Sequence, residues 1–260
     1  MNSFDLALIR LRENAGTNLR AIEDLTKFRS RSQFFTAHED DPKRFAYMLI
    51  SGHPSTVEKS PTVIMGGSAK SCGELTKHLP EGPYTVVETP REFVKFLEGK
   101  IPSNAEIYHE RRMELSRSKF RATNSARVRR LIETDDVSLA EFNGAPPQAA
   151  AGMRNWINGA ASLLGIFEDS KLIAMGSSFC AVPEGWSLVG IKTRNEYRRK
   201  GLAAEITSEL CTRAFNEVSA VELTVLSDNS AAIALYEKLG FELKEERVWI
   251  DCGSGSKPSF

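Results

Sequence analysis

The sequence predicts a mixed α/β protein built as two units of similar length, and three observations carry that prediction. Apolar runs of strand length alternate with helix-spaced stretches along most of the chain. At 260 residues, 41% of them hydrophobic, there is material for more than one core. A basic stretch divides the two halves: Arg111 to Arg130 holds eight Lys or Arg against one acid, Glu114. The expected organisation is an N-terminal α/β domain over 1–110, a solvated basic connector over 111–126, a second domain over 127–252 and a loose tail over 253–260.

In the first unit, Phe4, Leu8, Leu11, Ala15, Leu19, Ile22, Leu25 and Phe28 recur every three or four residues. That spacing predicts one or two amphipathic helices with a weak point at Gly16. Arg44 to Ser51 and Thr62 to Met65 read as strands. The second runs into Gly66-Gly67-Ser68-Ala69-Lys70, followed by a helix over Ser71 to Leu79. This turn lacks the Gly-x-x-x-x-Gly-Lys-Ser/Thr spacing of a phosphate loop and reads as a plain strand-to-helix connection. Tyr84 to Glu88 is a further strand, and Pro90 to Leu97 a short helix with proline in its first turn.

The second unit begins with a strand over Val128 to Ile132, then a helix to Phe142 capped by Thr134 or Asp135. Gln148 to Asn158 is a second helix. Ser162 to Phe167 and Lys171 to Val182 form a hairpin about Glu168-Asp169-Ser170, and Pro183-Glu184-Gly185 turns into a strand over Trp186 to Thr193. The helix from Gly201 to Phe215 carries Leu202, Ile206, Leu210 and Ala214 in one stripe. After the strand Val221 to Val225, Asn229 or Ser230 caps a helix with Ile233, Tyr236 and Leu239 on one face, closed by Gly240. Two short strands finish the unit, Glu242 to Arg247 and Val248 to Asp251.

The chemistry concentrates at Tyr197-Arg198-Arg199-Lys200-Gly201-Leu202-Ala203. A strand that stops at a basic, glycine-containing turn and passes directly into a helix presents free backbone N–H groups and the positive end of the helix dipole. Three consecutive cations add attraction for phosphate, and Gly201 and Ala203 are small enough for close approach. A diphosphate suits such a turn. Taken alone, the stretch equally suits an ordinary connection with solvated cations.

Composition removes several classes. The formal net charge is zero, so no global field favours nucleic acid or membrane. No stretch approaches the ~20 apolar residues of a membrane span. Met1-Asn2-Ser3-Phe4-Asp5 lacks the basic-then-apolar layout of a secretion signal. Cys72, Cys180, Cys211 and Cys252 are far apart and suit reduced thiols in a cytoplasmic protein. Cys180 sits mid-strand and reads as core. His38, His53, His78 and His109 show no metal-ligand spacing, so no metal is expected.

Arg198, Gly201 and Ala203 match the Arg/Gln-x-x-Gly-x-Gly/Ala pattern of the GNAT superfamily of N-acetyltransferases. Asp228-Asn229, Ala231 or Ala232, and Leu235-Tyr236-Glu237-Lys238-Leu239-Gly240-Phe241 resemble the second signature of that superfamily, at the expected distance. The resemblance covers residues 127–251, about half of the chain. It implies the GNAT fold: a central, mostly antiparallel sheet, splayed into a V between two strands and flanked by helices. It also implies transfer of an acetyl group from acetyl-CoA, the co-substrate, to a primary amine of a small molecule, peptide or protein, by direct attack in a ternary complex. The diphosphate would sit on Arg198, Arg199, Lys200, Gly201, Leu202 and Ala203. The pantetheine would run between the Trp186–Thr193 and Val221–Val225 strands, with Ile191, Lys192, Thr193 and Asn229 also on the cofactor.

A departing thiolate (thiol pKa about 8.5) needs a proton, and Tyr236, a phenol of pKa about 10, would supply it. Its alternative role is to fill its helix face. A backbone N–H in Gly190–Lys192 would serve the oxyanion. Many members of the superfamily carry a Glu on the strand before the loop, whereas Trp186 to Thr193 has no acid here. Glu184, Glu196 and Glu222 lie near in sequence without a clear claim, and a water relay would remove the need for one. The alternating elements of residues 1–110 allow a degenerate GNAT-like unit lacking the phosphate loop, an arrangement similar to the glycine N-acyltransferase-like branch. A non-catalytic acetyl-CoA-binding sensor or regulatory module is the alternative function. Nucleic-acid binding through the basic stretch is the weakest reading, and a homodimer is compatible with all of them.

Overall fold

The computed structural model describes residues 3–53, 60–255 and 258. Its contacts gather into two units. The first comprises Met1–Arg112, Thr224–Asn229 and Leu243–Ser259, the second Met113–Leu223 and Ser230–Glu242.

In the first unit, helices α1 (Ser3–Glu13) and α2 (Leu19–Lys27) flank a 3-10 turn at Ala15–Thr17, the predicted weak point. The Asn18 amide stabilises the break by donating to the carbonyls of Leu11 (3.1 Å) and Asn14 (3.0 Å). The strands are β1 (Gln33–Ala37), β2 (Ala46–Ile50), β3 (Thr62–Gly67), β4 (Tyr84–Pro90), β5 (Glu106–Ser116, of which 106–112 belong to this unit) and, from much later in the chain, β11 (Glu242–Cys252, of which 243–252 belong to it). Their order is β1-β2-β3-β4-β11-β5. The β1–β2, β2–β3 and β4–β11 pairs are antiparallel, whereas β3 and β4 run parallel from Thr62–Thr85 to Ile64–Val87. Between β3 and β4 lie α3 (Ala69–Cys72) and a 3-10 segment (Gly73–His78); after β4 come a 3-10 turn and α4 (Val94–Leu97). Met48, Met65, Val86, Phe93, Leu97 and Ile250 are completely buried in this unit's core.

Three expectations change here. The helix expected over Ser71 to Leu79 is instead α3 followed by a 3-10 segment. The expected pair of closing strands is the single strand β11, which runs unbroken through Arg247 because that side chain is buried with its own partners. Its guanidinium lies 2.7 Å from Glu245 and 3.8 Å from Glu88, and donates to the Thr17 carbonyl (2.8 Å). Third, Arg111 to Ser116 of the expected connector are the far half of β5. At the other end, Gly253 to Gly255 are not loose: the N–H groups of Ser254 and Gly255 donate to the Asp251 carboxylate. Met1, Asn2, Ser256, Lys257, Ser259 and Phe260 lie outside the described residues.

The second unit contains β6 (Arg129–Arg130), α5 (Asp136–Phe142), α6 (Ala150–Gly159), β7 (Leu163–Glu168), β8 (Lys171–Val182), β9 (Gly185–Thr193), α7 (Leu202–Ala214), residues 220–223 of β10 (Ala220–Leu226) and α8 (Ser230–Leu239). The strand order is β10-β9-β8-β7-β6, antiparallel except for the β9–β10 pair. The β7–β8 hairpin turns on Asp169 (φ 48°) and Ser170 (φ 64°), the left-handed pair that a two-residue hairpin loop requires. The α7 stripe of Leu202, Ile206, Leu210 and Ala214 is buried as predicted. Gly176 of β8 lets this helix close onto the sheet, since a Cβ there would stand 2.6 Å from Ile206 Cγ2. The strand expected over Val128 to Ile132 shortens to two residues.

Within this unit the basic stretch is engaged with carboxylates rather than merely solvated. Arg127 pairs with Glu205, and Arg129 makes a two-pronged contact to Asp135 at 2.7 and 2.8 Å. All four cysteines are buried thiols outside any disulfide. Among the described residues, no helix is long and apolar enough to cross a membrane. Both units are mixed α/β, with largely antiparallel pairing and helices flanking the strands, as the sequence predicts.

Candidate functional site

The site is built where β9 leaves the sheet of the second unit. The β9–β10 ladder runs from Trp186–Val221 to Leu188–Leu223. Residues Gly185 to Leu188 are buried, while Val189 to Thr193 are half-exposed. In the β8–β9 pair, Met175 opposes Lys192 and Ser177 opposes Val189, so β9 spans one more residue than β8 over this interval. Gly190, at φ 63°, absorbs that β-bulge. A bulge turns backbone groups out of the ladder, and this one falls within the Gly190–Lys192 segment expected to offer an N–H to an oxyanion. Ile191 and Lys192 sit on the bulge and its exit. Thr193, the last residue of β9, has a buried Oγ1 without a hydrogen-bond partner among the described residues.

Arg194 then pins the chain. Its N–H donates to the Ile173 carbonyl (2.9 Å), its Nε to the Leu172 carbonyl (2.7 Å), and its guanidinium reaches Glu141 at 3.3 Å across the Phe142 ring. The sequence reading missed this anchor. Nothing in its local pattern marks it, because its partners come from β8 and α5.

After a 3-10 turn at Asn195–Tyr197, the loop reaches Arg199 (φ 63°) and Gly201 (φ 82°) and enters the thirteen-residue helix α7. Arg198 N–H donates to the Asn195 carbonyl, and Glu205 N–H donates to that of Gly201. Between them, the N–H groups of Arg199 to Ala204 donate to no carbonyl among the described residues. A Cβ built on Gly201 would meet nothing within 4 Å, so there is open space on that side of the glycine. Arg198 and Arg199 are exposed and carry no ion pair among the described residues, and the Lys200 ammonium lies 4.9 Å from the Tyr197 ring centre. Free donors, a helix start, open space and uncommitted cations together make an anion cradle. These residues, with the orphaned Thr193 hydroxyl, fit a diphosphate-bearing ligand.

Tyr236 lies on the buried face of α8, 7% exposed, its ring 5.7 Å from that of Phe241. Burial, with Cys211 alongside, pushes its phenol well above the usual range, so it stays protonated at neutral pH. Its hydroxyl makes no hydrogen bond among the described residues. Asn229 is half-buried in the turn before α8, its N–H donating to the Leu226 carbonyl (3.0 Å). Among the carboxylates near this site in sequence, Glu196 is engaged by Lys171 at 3.3 Å and held below the ordinary range by its own backbone N–H and that lysine. Glu222 is buried on β10 in register with Ser187. Among the described residues, no group of three or more His, Cys, Asp or Glu could hold a metal ion.

Comparison with known proteins accords with this geometry. The model of the FR47-like protein family matches residues 163–250, from β7 into β11. No curated protein matches the sequence. Among solved structures, a Drosophila protein superposes with a TM-score of 0.74 at 13% identity, covering 98% of each chain. An acetyltransferase from the GNAT family of Colwellia psychrerythraea gives 0.56 at 12% identity, covering 94% of this chain and 97% of that one. A tandem GNAT protein from the clavulanic acid biosynthesis pathway, solved without AcCoA, gives 0.56 at 14% identity over 98% and 96%. At these identities the likeness is one of fold, and the fold is that of GNAT acetyltransferases.

Proposed function

We propose that the second unit is an acyl-CoA-dependent N-acyltransferase, moving an acetyl group from acetyl-CoA to a primary amine by direct attack in a ternary complex. One observation carries the reading: the bulged end of β9 leads into a turn at the start of α7 whose N–H groups, from Arg199 to Ala204, donate to no carbonyl among the described residues, with open space beside Gly201.

In this reading the diphosphate lies on Arg198 to Ala203, with Leu202 fixing the helix start beneath it. The thioester arm follows Thr193, Lys192 and Ile191 back along β9, and Asn229 serves the same arm. The amine nitrogen attacks the thioester carbonyl carbon, and an N–H of the bulge stabilises the oxygen as it gains charge. The new C–N bond forms, the C–S bond breaks, and the sulfur leaves with the bonding pair. Tyr236 donates its proton to that sulfur; a phenol is protonated at neutral pH, and the burial that raises its pKa makes it a weaker acid until the charge on the departing sulfur draws the proton. The amine's own proton departs through water, since β9 carries no carboxylate between Trp186 and Thr193. The likeness in pairing extends the proposal to the first unit. There an antiparallel pair, β2–β3, precedes a parallel pair, β3–β4, just as β8–β9 precedes β9–β10. We read it as a degenerate GNAT-like unit, as in the glycine N-acyltransferase-like branch, in a cytoplasmic protein.

The missing β9 carboxylate also favours a second reading, an acetyl-CoA-binding sensor without turnover. Calorimetric titration with acetyl-CoA, dephospho-CoA and ATP tests ligand binding, and thiol release with a panel of amines then separates the two. Saturable binding with thiol release supports the enzyme, and binding without it supports the sensor. Failure of a folded sample to bind overturns both.

A further inference from the structure

The first unit has its own opening at the carboxyl ends of its parallel strands. The β3–β4 ladder runs only to Ile64–Val87, while β3 continues to Gly67 and β4 to Pro90. Thr89 Oγ1 closes the ladder by accepting the Met65 N–H at 3.2 Å. Beyond that point lies a cavity of about 1060 Å³, its lining including Gly67, Ser68, Pro90, Phe45, Tyr47 and Asn18. Divergence of parallel strands at their carboxyl ends is where α/β sheets hold ligands.

The chemistry of this cavity differs from that of the α7 turn. A Cβ on Gly67 would stand 2.3 Å from the Phe45 carbonyl oxygen, so the turn is filled where Gly201 faces open space. Ser68 N–H already donates to that carbonyl, and those of Ser71 and Cys72 donate to the Ser68 carbonyl. A diphosphate finds little here. The rim instead carries both signs: Arg10, Lys43, Arg91 and Lys95 against Glu13, Glu92, Glu98, Glu245 and Glu246. Arg10 is paired with Glu13 at 2.7 Å and Arg91 with Glu246 at 2.8 Å, and Glu245 is engaged by Arg247. Lys43, Lys95, Glu92 and Glu98 carry no ion pair among the described residues. Two uncommitted ammonium groups and two uncommitted carboxylates on one rim complement a ligand bearing one charge of each sign, whereas a polyanion would meet five carboxylates.

We propose that this cavity is a second ligand site, for a zwitterionic amino compound of short-peptide size. The proposal does not rest on acyl transfer by the second unit. Its test uses the full chain, ¹⁵N-labelled, titrated with the tripeptide Ala-Gln-Ala in free, N-acetylated and C-amidated forms, with inorganic pyrophosphate as contrast. The expected result is saturable shift of amides around Tyr47, Gly67 and Val94 by the free tripeptide, weakened about tenfold or more by either cap. Lys43→Glu with Lys95→Glu should weaken the free form about tenfold and leave the amidated form little changed. Glu92→Gln with Glu98→Gln should likewise weaken the free form, and leave the acetylated form little changed. All four side chains are exposed, so folding should survive, which thermal melting checks. No saturable shift up to about 10 mM, indifference to both caps, shifts confined to other residues, or tighter binding of pyrophosphate than of the tripeptide would each overturn the proposal.

Discussion

Gly201→Glu puts a carboxylate into the space where the proposed diphosphate lies. A Cβ there meets nothing within 4 Å, so the side chain enters without collision. The backbone cost is that of a non-glycine residue at φ 82°, about 1–2 kcal/mol. Arg199, already at φ 63° two residues earlier, indicates that this turn bears such strain. Against a doubly charged phosphate group, the introduced carboxylate adds like-charge repulsion of several kcal/mol. At 1.4 kcal/mol per factor of ten, acetyl-CoA affinity should fall by at least about 100-fold. Gly201→Ala supplies the strain without the charge, and should melt a few degrees lower while keeping most of its affinity. The assay is calorimetric titration of the wild type and both variants, with thermal melts alongside. Undiminished affinity in Gly201→Glu, in a protein that melts like Gly201→Ala, would refute the assignment of this turn to the cofactor.

Tyr236→Phe should lower turnover at least about tenfold with little change in acetyl-CoA affinity, because only the hydroxyl is lost. Equal turnover would return Tyr236 to the core. Gly240→Ala should cost about 3 kcal/mol in urea unfolding, since its Cβ would stand 2.1 Å from the Lys119 carbonyl oxygen at a φ of 102°. A loss below 1 kcal/mol, by the same approximate scale, would mean the turn relaxes freely. Glu110 is 2% exposed, and burial, with Glu88 nearby and Arg247 opposing, raises its carboxyl from about 4.5 to about 8. The folded state therefore binds a proton that the unfolded chain has released. Its contribution is complete below pH 4.5 and is lost as pH rises through about 8, by up to about 1.4 kcal/mol per pH unit. Glu110→Gln should flatten that part of the stability profile, and an unchanged slope would contradict the shift.

Features set by neighbours in sequence were legible. The β7–β8 hairpin, the α7 stripe and the α8 face follow from spacing and turn residues, and the structure bears them out. The basic turn at Arg198 to Ala203 was equally visible, because a left-handed glycine before a helix is a local property. Strand β5 was hidden by its charges. Its far half, Arg111 to Ser116, reads as the start of a basic connector until Arg112 is seen donating to the Gly16 carbonyl (3.0 Å) and lying 3.8 Å from Glu245. Arg247 disguised the continuity of β11 in the same way. Strand β1, half-buried beside β2 alone, presents too short a pattern to stand out. In the site, the Arg194 anchor and the burial that raises the Tyr236 pKa depend on residues far away in sequence, and no local pattern announces them.

The position of β11 has a consequence for biosynthesis. It is the neighbour of both β4 and β5 in the first unit, yet its residues follow Ser116 by more than a hundred positions. A nascent chain emerging from the ribosome therefore holds β4 and β5 with a vacant lane between them until translation has passed residue 252. The first unit, although begun earliest, is completed last, and its exposed strand edges must be shielded throughout elongation.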